Sequence, residues 1–332
     1  MDYKKFLETI TRNLQMTLGP SCQIEVCPVQ KNNHVTLDGL RISHSSQICV
    51  PTIYMNAYFD AYQEHAMNIE EILADILSLY QNSVPPSCIG PEFLSDFESL
   101  KSRIMYRVIH TESNQELLSD IPSIRFLDLS VVFFLYIEEN ASGHLTALIH
   151  KEHLRQWKVD VSDLWKLARV NTPTAYPPLI QDMNDMIGGS NTDGQNISVS
   201  DLSDASSDAS DASPNDPLKL YVLTNTSGLY GASCILYPDV LDNLASKLNQ
   251  DLLILPSSIH EVLVLPADTQ INLAELRATV CTINQTEVPP EDRLSDQIYF
   301  YRREDGMLEL VPEDIITEEA GSYQTGEVSY LS

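Results

Sequence analysis

Ser257, Ser258, His260 and Glu261 stand within one five-residue stretch. Hydroxyl, imidazole and carboxylate are the three groups a hydrolase uses as nucleophile, base and orienting acid. Their spacing speaks against that chemistry. The stretch reads as a turn running into a strand, and consecutive strand residues point to opposite faces, so His260 and Glu261 do not readily share one. Working triads gather their members from separate loops. Nor does His260-Glu261 open a zinc-protease helix, because Val264 holds the place of the second histidine. Pro256 followed by two serines is also the composition of a turn whose hydroxyls satisfy nearby backbone groups. A structural turn is therefore the first expectation, a binding edge the second and catalysis the third.

Other chemistry-bearing residues are fewer. His150 and His153 lie three apart at a strand–helix junction. Two such ligands do not make a metal site without a third at suitable spacing, so a solvated helix start is expected and no metal. Asp296, in the run Asp292-Arg293-Leu294-Ser295-Asp296, is either half of an acid pair or the residue that turns the chain into the next strand. Tyr54, Tyr58 and Tyr62 recur every four residues, an aromatic helix face that serves the core or a partner groove. The chain has no Gly-rich phosphate loop, no GxSxG elbow, no dinucleotide fingerprint and no basic–aromatic stripe, so no cofactor is expected.

The elements that must position these residues are legible from periodicity. Tyr3, Phe6, Ile10 and Leu14 mark an amphipathic helix that ends at Gly19-Pro20. Short strands follow at Gln23–Gln30, Val35–Leu37 and Leu40–Ile42, with Asn32-Asn33 and Asp38-Gly39 as turns. Helices come next, over about Tyr54–Glu64 and then from Asn68, which caps with Glu71 answering as a capping box. Strands are expected at Ile104–His110, Leu127–Ile137 and Leu145–His150, the last two joined by a five-residue loop, and helices at Lys151–Gln156 and Val161–Asn171. Further on, strands at Leu218–Thr224 and Ala232–Leu236 precede a helix over Pro238–Leu248. Strands Asp251–Leu255 and Glu261–Leu265 flank the Ser-Ser-Ile-His turn, Asn272 caps a helix, and a hairpin through Asp305-Gly306 joins Gln297–Arg303 to Met307–Val311.

This is an α+β pattern of mainly antiparallel strands and hairpins with packed amphipathic helices. Leu145–Leu154 echoes Cys234–Leu244, which reads either as a duplicated strand–strand–helix unit or as chance recurrence of a short pattern. The organisation expected is a helix–strand–helix region over 1–100 and a first α+β unit over 101–187. A disordered acidic Ser/Asp linker over 188–217 then leads to a second unit over 218–312 and a disordered acidic tail over 313–332.

At 332 residues with 43% apolar content the chain can bury a real core. Its net charge of −27 disfavours nucleic-acid phosphates and anionic membranes, which are bound through Lys and Arg. The linker and the residues after Arg303 together hold 14 acids with no base among them, so the folded part is only moderately acidic. Six cysteines without a CxxC pair read as thiols of a reducing cytoplasm. The N-terminus carries no apolar stretch for a signal peptide, and the longest apolar run, Leu129–Ile137, is about half the ~20 residues needed to cross a bilayer.

Several of these residues carry a resemblance. Pro51-Thr52-Ile53-Tyr54-Met55 with Tyr58 and Tyr62, the helix Ile69-Glu70-Glu71-Ile72, Asn225, Gly231-Ala232, the run Ile254–Glu261, and Leu294-Ser295-Asp296 with Tyr299 and Tyr301 are its matching elements. On them the chain resembles a large uncharacterised family, domain of unknown function number 5688, of anaerobic Gram-positive bacteria, over roughly Met1–Val311. From about Arg107 onward it is also similar in layout to a second uncharacterised family of Gram-positive cytosolic proteins. Two departures stand out: Glu64-His65 where a glycine is expected, and the serine–aspartate linker, which looks like a local insertion. The resemblance implies a cytosolic bacterial protein and no activity. The reading as a whole is a non-enzymatic binding or protein-interaction module with a protein partner, and neither nucleic acid nor membrane. The rivals are a hydrolase-like enzyme using the Ser257–Glu261 turn and an acidic nucleic-acid mimic.

Overall fold

The computed structural model describes residues 1–44, 52–82, 93–140, 143–183, 197–198, 219–267 and 271–312. The chain is α+β and forms two compact units. The first comprises Met1–Met105, Ser113–Ser123 and Phe133–Asn171; the second comprises Tyr106–Glu112, Ile124–Val132 and Thr172–Ser332. Much of the expected acidic linker and the expected tail lie outside the described residues, although Ile197–Ser198 pair with Leu179 and Ile180. No helix among the described residues is long and apolar enough to cross a membrane.

The first unit opens with helix α1 (Tyr3–Leu18), whose stripe of Phe6, Ile10 and Leu14 is buried as the 3.6-residue period requires. Asp2 caps it by accepting from the Lys5 amide, and Gly19 at φ 79° lets the chain leave. Strands β1 (Cys22–Gln30), β2 (Thr36–His44) and β3 (Thr52–Tyr54) follow as an antiparallel sheet in that order. The expected turn at Asp38-Gly39 is not there, because both residues sit inside β2 and pair with Pro28 and Cys27. Gly39 serves spacing instead. A Cβ on it would lie 2.4 Å from Thr52 Cγ2 and 2.8 Å from Val29 Cγ2, so the glycine lets flanking side chains close over the strand.

Helices α2 (Met55–Gln63) and α3 (Ile69–Asn82) complete this core, with Met55, Ile72 and Ile76 fully buried beside Phe6 and Leu40. The capping box at the start of α3 forms as expected: Asn68 Oδ1 accepts from the Glu70 and Glu71 amides, and Glu71 Oε2 accepts from the Asn68 amide.

A short helix α4 (Phe97–Leu100) precedes strand β4 (Ile104–His110), and helix α5 (Gln115–Asp120) precedes strands β5 (Ser123–Phe126), β6 (Leu129–Asn140) and β7 (Gly143–Leu148). The expected β6–β7 hairpin forms, and its pairing reaches Asn140–Gly143, so Glu139, Asn140 and Gly143, expected in the loop, are strand residues. Helices α6 (Lys151–Trp157) and α7 (Val161–Ala175) follow.

In the second unit a sheet of order β14-β13-β11-β12-β10-β8-β9 runs antiparallel through its pairings. Its strands are β8 (Pro178–Asp182), β9 (Ile197–Ser198), β10 (Tyr221–Asn225), β11 (Leu252–Leu255), β12 (Val262–Pro266), β13 (Tyr299–Arg302) and β14 (Met307–Leu310). β11 is buried along its length and β12 mostly so, as expected of central strands with a covered face on each side. Helix α8 (Val240–Leu248) buries Val240, Leu241, Leu244 and Ala245. Helix α9 (Leu273–Thr286) is capped by Asn272, which accepts from the Ala274 and Glu275 amides.

One expectation fails here. Ala232–Leu236, read as a strand from its apolar residues, lies in a 3-10 helix over Gly231–Leu236, entered through Tyr230 in the left-handed region at φ 56°. The echo between Leu145–Leu154 and Cys234–Leu244 therefore sets a strand against a helical turn, and does not hold element for element.

Candidate functional site

The segment Pro256–Glu261 connects β11 to β12 and is held from two sides within the second unit. On one side it runs antiparallel to the residues before β13. Ser295 donates its amide to the Pro256 carbonyl, Leu294 to that of Ser257, and Ile259 to that of Asp292, at 2.8–3.0 Å. On the other side lies the loop Asn225–Gly231. Thr224 Oγ1 donates to the His260 carbonyl at 2.8 Å, and the Ala232 amide to the Ile259 carbonyl at 3.3 Å. Asn225, 2% exposed, folds that loop: its Nδ2 donates to the Leu229 carbonyl while its Oδ1 accepts from the Ser227 amide and hydroxyl. Gly231 is where the two segments approach most closely. A Cβ there would stand 2.2 Å from Thr224 Oγ1 and 2.3 Å from the His260 carbonyl oxygen.

This framework fixes His260 on both ring nitrogens. Nε2 lies 3.4 Å from Asp292 Oδ1, and Nδ1 accepts from the Tyr230 amide at 3.4 Å. The hydrogen bond to Asp292 raises the imidazole above the ordinary histidine range, and partial burial pulls the other way without winning; Glu261 adds a smaller raising field. The imidazole lies nearly parallel to the Tyr230 ring, at 11° with centroids 6.0 Å apart, and the Arg107 guanidinium carbon lies 4.5 Å from the centroid of the same tyrosine.

The serines are occupied differently. Ser258 is buried and its Oγ accepts from the backbone amide of His260, two residues on, as a hydroxyl-closed turn does. Ser257 is half-buried and tied by its backbone. Glu261 is half-buried and touches His260 only through its field. Asp296 is exposed and accepts from Asn284 Nδ2 at 2.7 Å; Asn284, on α9, donates to the Ser295 carbonyl as well, so this acid anchors a helix. The structure thus brings Ser257, Ser258, His260 and Glu261 into one turn without lining them up as a relay, and it sets Asp296 to another task.

The remaining candidates lie in the first unit. Tyr54 lies under the Lys31 ammonium, Tyr58 donates to Asp75 Oδ2, and Tyr62 packs on Phe6, so all three are engaged with neighbours of their own unit. His150 Nδ1 meets Asp120 Oδ2 at 2.6 Å, and His153 Nδ1 accepts from the His150 amide while its ring stacks on Trp157. Burial holds His153 below the usual range. With Nδ1 as acceptor, neutral His153 carries its proton on Nε2. No group of three or more His, Cys, Asp or Glu among the described residues could hold a metal ion.

Sequence reasoning missed three participants. Asp292 was noted only as a neighbour of Asp296, while Tyr230 and Arg107 stood in no motif. It also missed a second polar cluster, in which Asp128 accepts from Ser295 Oγ and Tyr299 Oη, both at 2.5 Å, with His110 Nε2 at 4.0 Å. Asn225, Gly231, Ser257, Ser258, His260 and Ser295, read from the sequence as scattered matches to one family, converge on this framework. A family model described as a family of unknown function (DUF5688) matches residues 3–303. No curated protein and no solved structure matches the chain.

Proposed function

We propose that this chain, which belongs to that family of unknown function, is a binding protein whose recognition surface is carried by Tyr230 and His260, and that it is not a serine hydrolase. One observation carries this reading. A general base must offer a ring nitrogen to the proton it removes, and His260 offers none: Asp292 stands at one nitrogen and the Tyr230 amide at the other. Ser258 supports it, since its hydroxyl is oriented by a backbone amide rather than by the imidazole. What His260 presents is a flat ring alongside a tyrosine, a surface suited to packing against a ligand. The resemblance described above adds a cytoplasmic location in a Gram-positive bacterium, and the acidic surface with no catalytic motif makes a protein partner the first class to examine.

The test is covalent. The full chain is treated with a fluorophosphonate, which modifies activated serines, beside a known serine esterase. Unmodified Ser257 and Ser258 are expected under conditions that label the esterase fully. An adduct on either serine that disappears in H260A overturns the reading.

A further inference from the structure

We infer that Arg107 anchors an oxyanion site, in which its guanidinium, held over Tyr230, takes the carboxylate or phosphate group of a ligand. This rests on the reading of the Tyr230–His260 surface as a recognition surface.

The argument begins with an imbalance. The chain has 47 acids and 20 Lys and Arg, so a basic side chain has carboxylates in excess to choose from. Elsewhere in the second unit, Arg302 pairs with Asp305 and Glu309, Arg303 binds Asn249, and Arg293 donates to the carbonyls of Gln285 and Val288. The Arg107 side chain stacks on Tyr230, and its Nε is buried with no hydrogen-bond partner among the described residues. A buried N–H with no acceptor is costly, and an apolar side chain of similar length would avoid that cost. The position nevertheless keeps a permanent cation.

The surroundings say what the cation is for. Arg107 lies on β4 with Tyr106 and Val108, its neighbours on either side, both buried, so it projects from the opposite face of the strand. The Tyr230 ring supports the guanidinium plane from 4.5 Å, and a stacked guanidinium keeps the N–H fork on its edge for a planar or tetrahedral oxyanion. Tyr230 is itself fixed, by its left-handed backbone and by the bond from its amide to His260. The nearby imidazole does not compete for the anion, because both of its nitrogens already have partners. That leaves the half-buried Arg107, on an aromatic platform, as the cation offered to a ligand.

The experiment follows the Arg107 Nε–H resonance of the ¹⁵N-labelled full chain, assigned by its loss in R107K. Sodium phosphate and sodium acetate are titrated separately at constant ionic strength made up with chloride. A saturable shift with a midpoint of about 1–10 mM is expected for at least one anion, the strength of one or two charge-assisted hydrogen bonds to a ligand fragment. Phosphate alone assigns a phosphate-bearing ligand, acetate alone a carboxylic acid, and both together a site for either. No saturable shift with either anion overturns the inference.

Stability supplies a second, independent reading. A guanidinium kept for binding and not for packing makes R107M at least as heat-stable as the parent; a fall of about 4 °C or more makes Arg107 structural and ends the proposal. Fluorophosphonate labelling of the serines with the anion shift intact would remove the non-hydrolase reading and leave the oxyanion site standing, so the two failures are distinguishable.

Discussion

Replacing Gly231 by alanine tests whether the close approach of the loop Asn225–Gly231 to the Pro256–Glu261 segment organises the site. The added Cβ would sit 2.2 Å from Thr224 Oγ1, 2.3 Å from the His260 carbonyl oxygen and 2.9 Å from the Asn225 amide nitrogen. Carbon and oxygen atoms in ordinary contact stand about 3.3–3.6 Å apart, so the segments must part by roughly 1 Å. Two of the three obstructing atoms are backbone, which no rotamer change can move. Overpacking of this kind costs about 1–3 kcal/mol. The bond from Thr224 Oγ1 to the His260 carbonyl occupies the same space, and its loss adds about 1 kcal/mol. A total near 3 kcal/mol corresponds to a fall in melting temperature of about 6–12 °C for a unit of this size. Urea unfolding of G231A against the parent, with melting followed by circular dichroism, measures both. The midpoint should fall with the slope unchanged, because the surface exposed on unfolding stays the same. A loss below about 1 kcal/mol would mean that the loop yields easily, and the argument that glycine is required for closeness would fail.

Two further outcomes follow from the same framework. Asp292 raises His260, so the pair's contribution to stability is complete below the unfolded histidine value of about 6.5 and is lost as pH rises through the higher folded value; D292N should flatten this decline in urea midpoints above about pH 6.5, and identical slopes for the two proteins would refute the pairing. Asp128 is the acceptor for Ser295 and for the wholly buried Tyr299, so D128A should cost about 2–4 kcal/mol in chemical denaturation, whereas a loss under about 1 kcal/mol would show that both hydroxyls find other partners.

Where a local rule was sufficient, the sequence was readable. Helix α1 follows from a single apolar stripe, α3 from an asparagine and a glutamate three residues apart, α9 from its asparagine cap, and the β13–β14 hairpin from Asp305-Gly306. The failures occur where a glycine was judged by its chain neighbours. Asp38-Gly39 has the composition of a hairpin turn, yet Gly39 is a strand residue whose missing side chain makes room for Thr52 and Val29. Ala232–Leu236 likewise has the apolar composition of a strand, yet it lies in a 3-10 helix that opens at Gly231, whose missing side chain makes room for Thr224 and the His260 carbonyl. In both cases the residue that needs the glycine is remote in sequence, so no window around the glycine contains the reason for it.

The site was half legible for a related reason. The Ser257–Glu261 run drew attention because it concentrates the types that do chemistry, and the structure does place His260 at a junction of three chain segments. Closeness in sequence nevertheless misidentified its partners. His260 lies in a bend held between two other segments, so its ring finds its contacts on those segments and not on its chain neighbours. His260 meets Asp292 and Tyr230, with Arg107 over the same tyrosine, and the serines beside it are spent on their own backbone. The property that directs the functional reading is relational: one histidine has both nitrogens engaged while a nearby arginine has a buried nitrogen engaged by nothing described. Two residues of ordinary type acquire opposite capacities from the neighbours that the fold brings to them. A motif search ranks residues by type and spacing, so it selects the histidine, whose hydrogen bonds are already committed, and passes over the arginine, whose Nε meets no acceptor among the described residues.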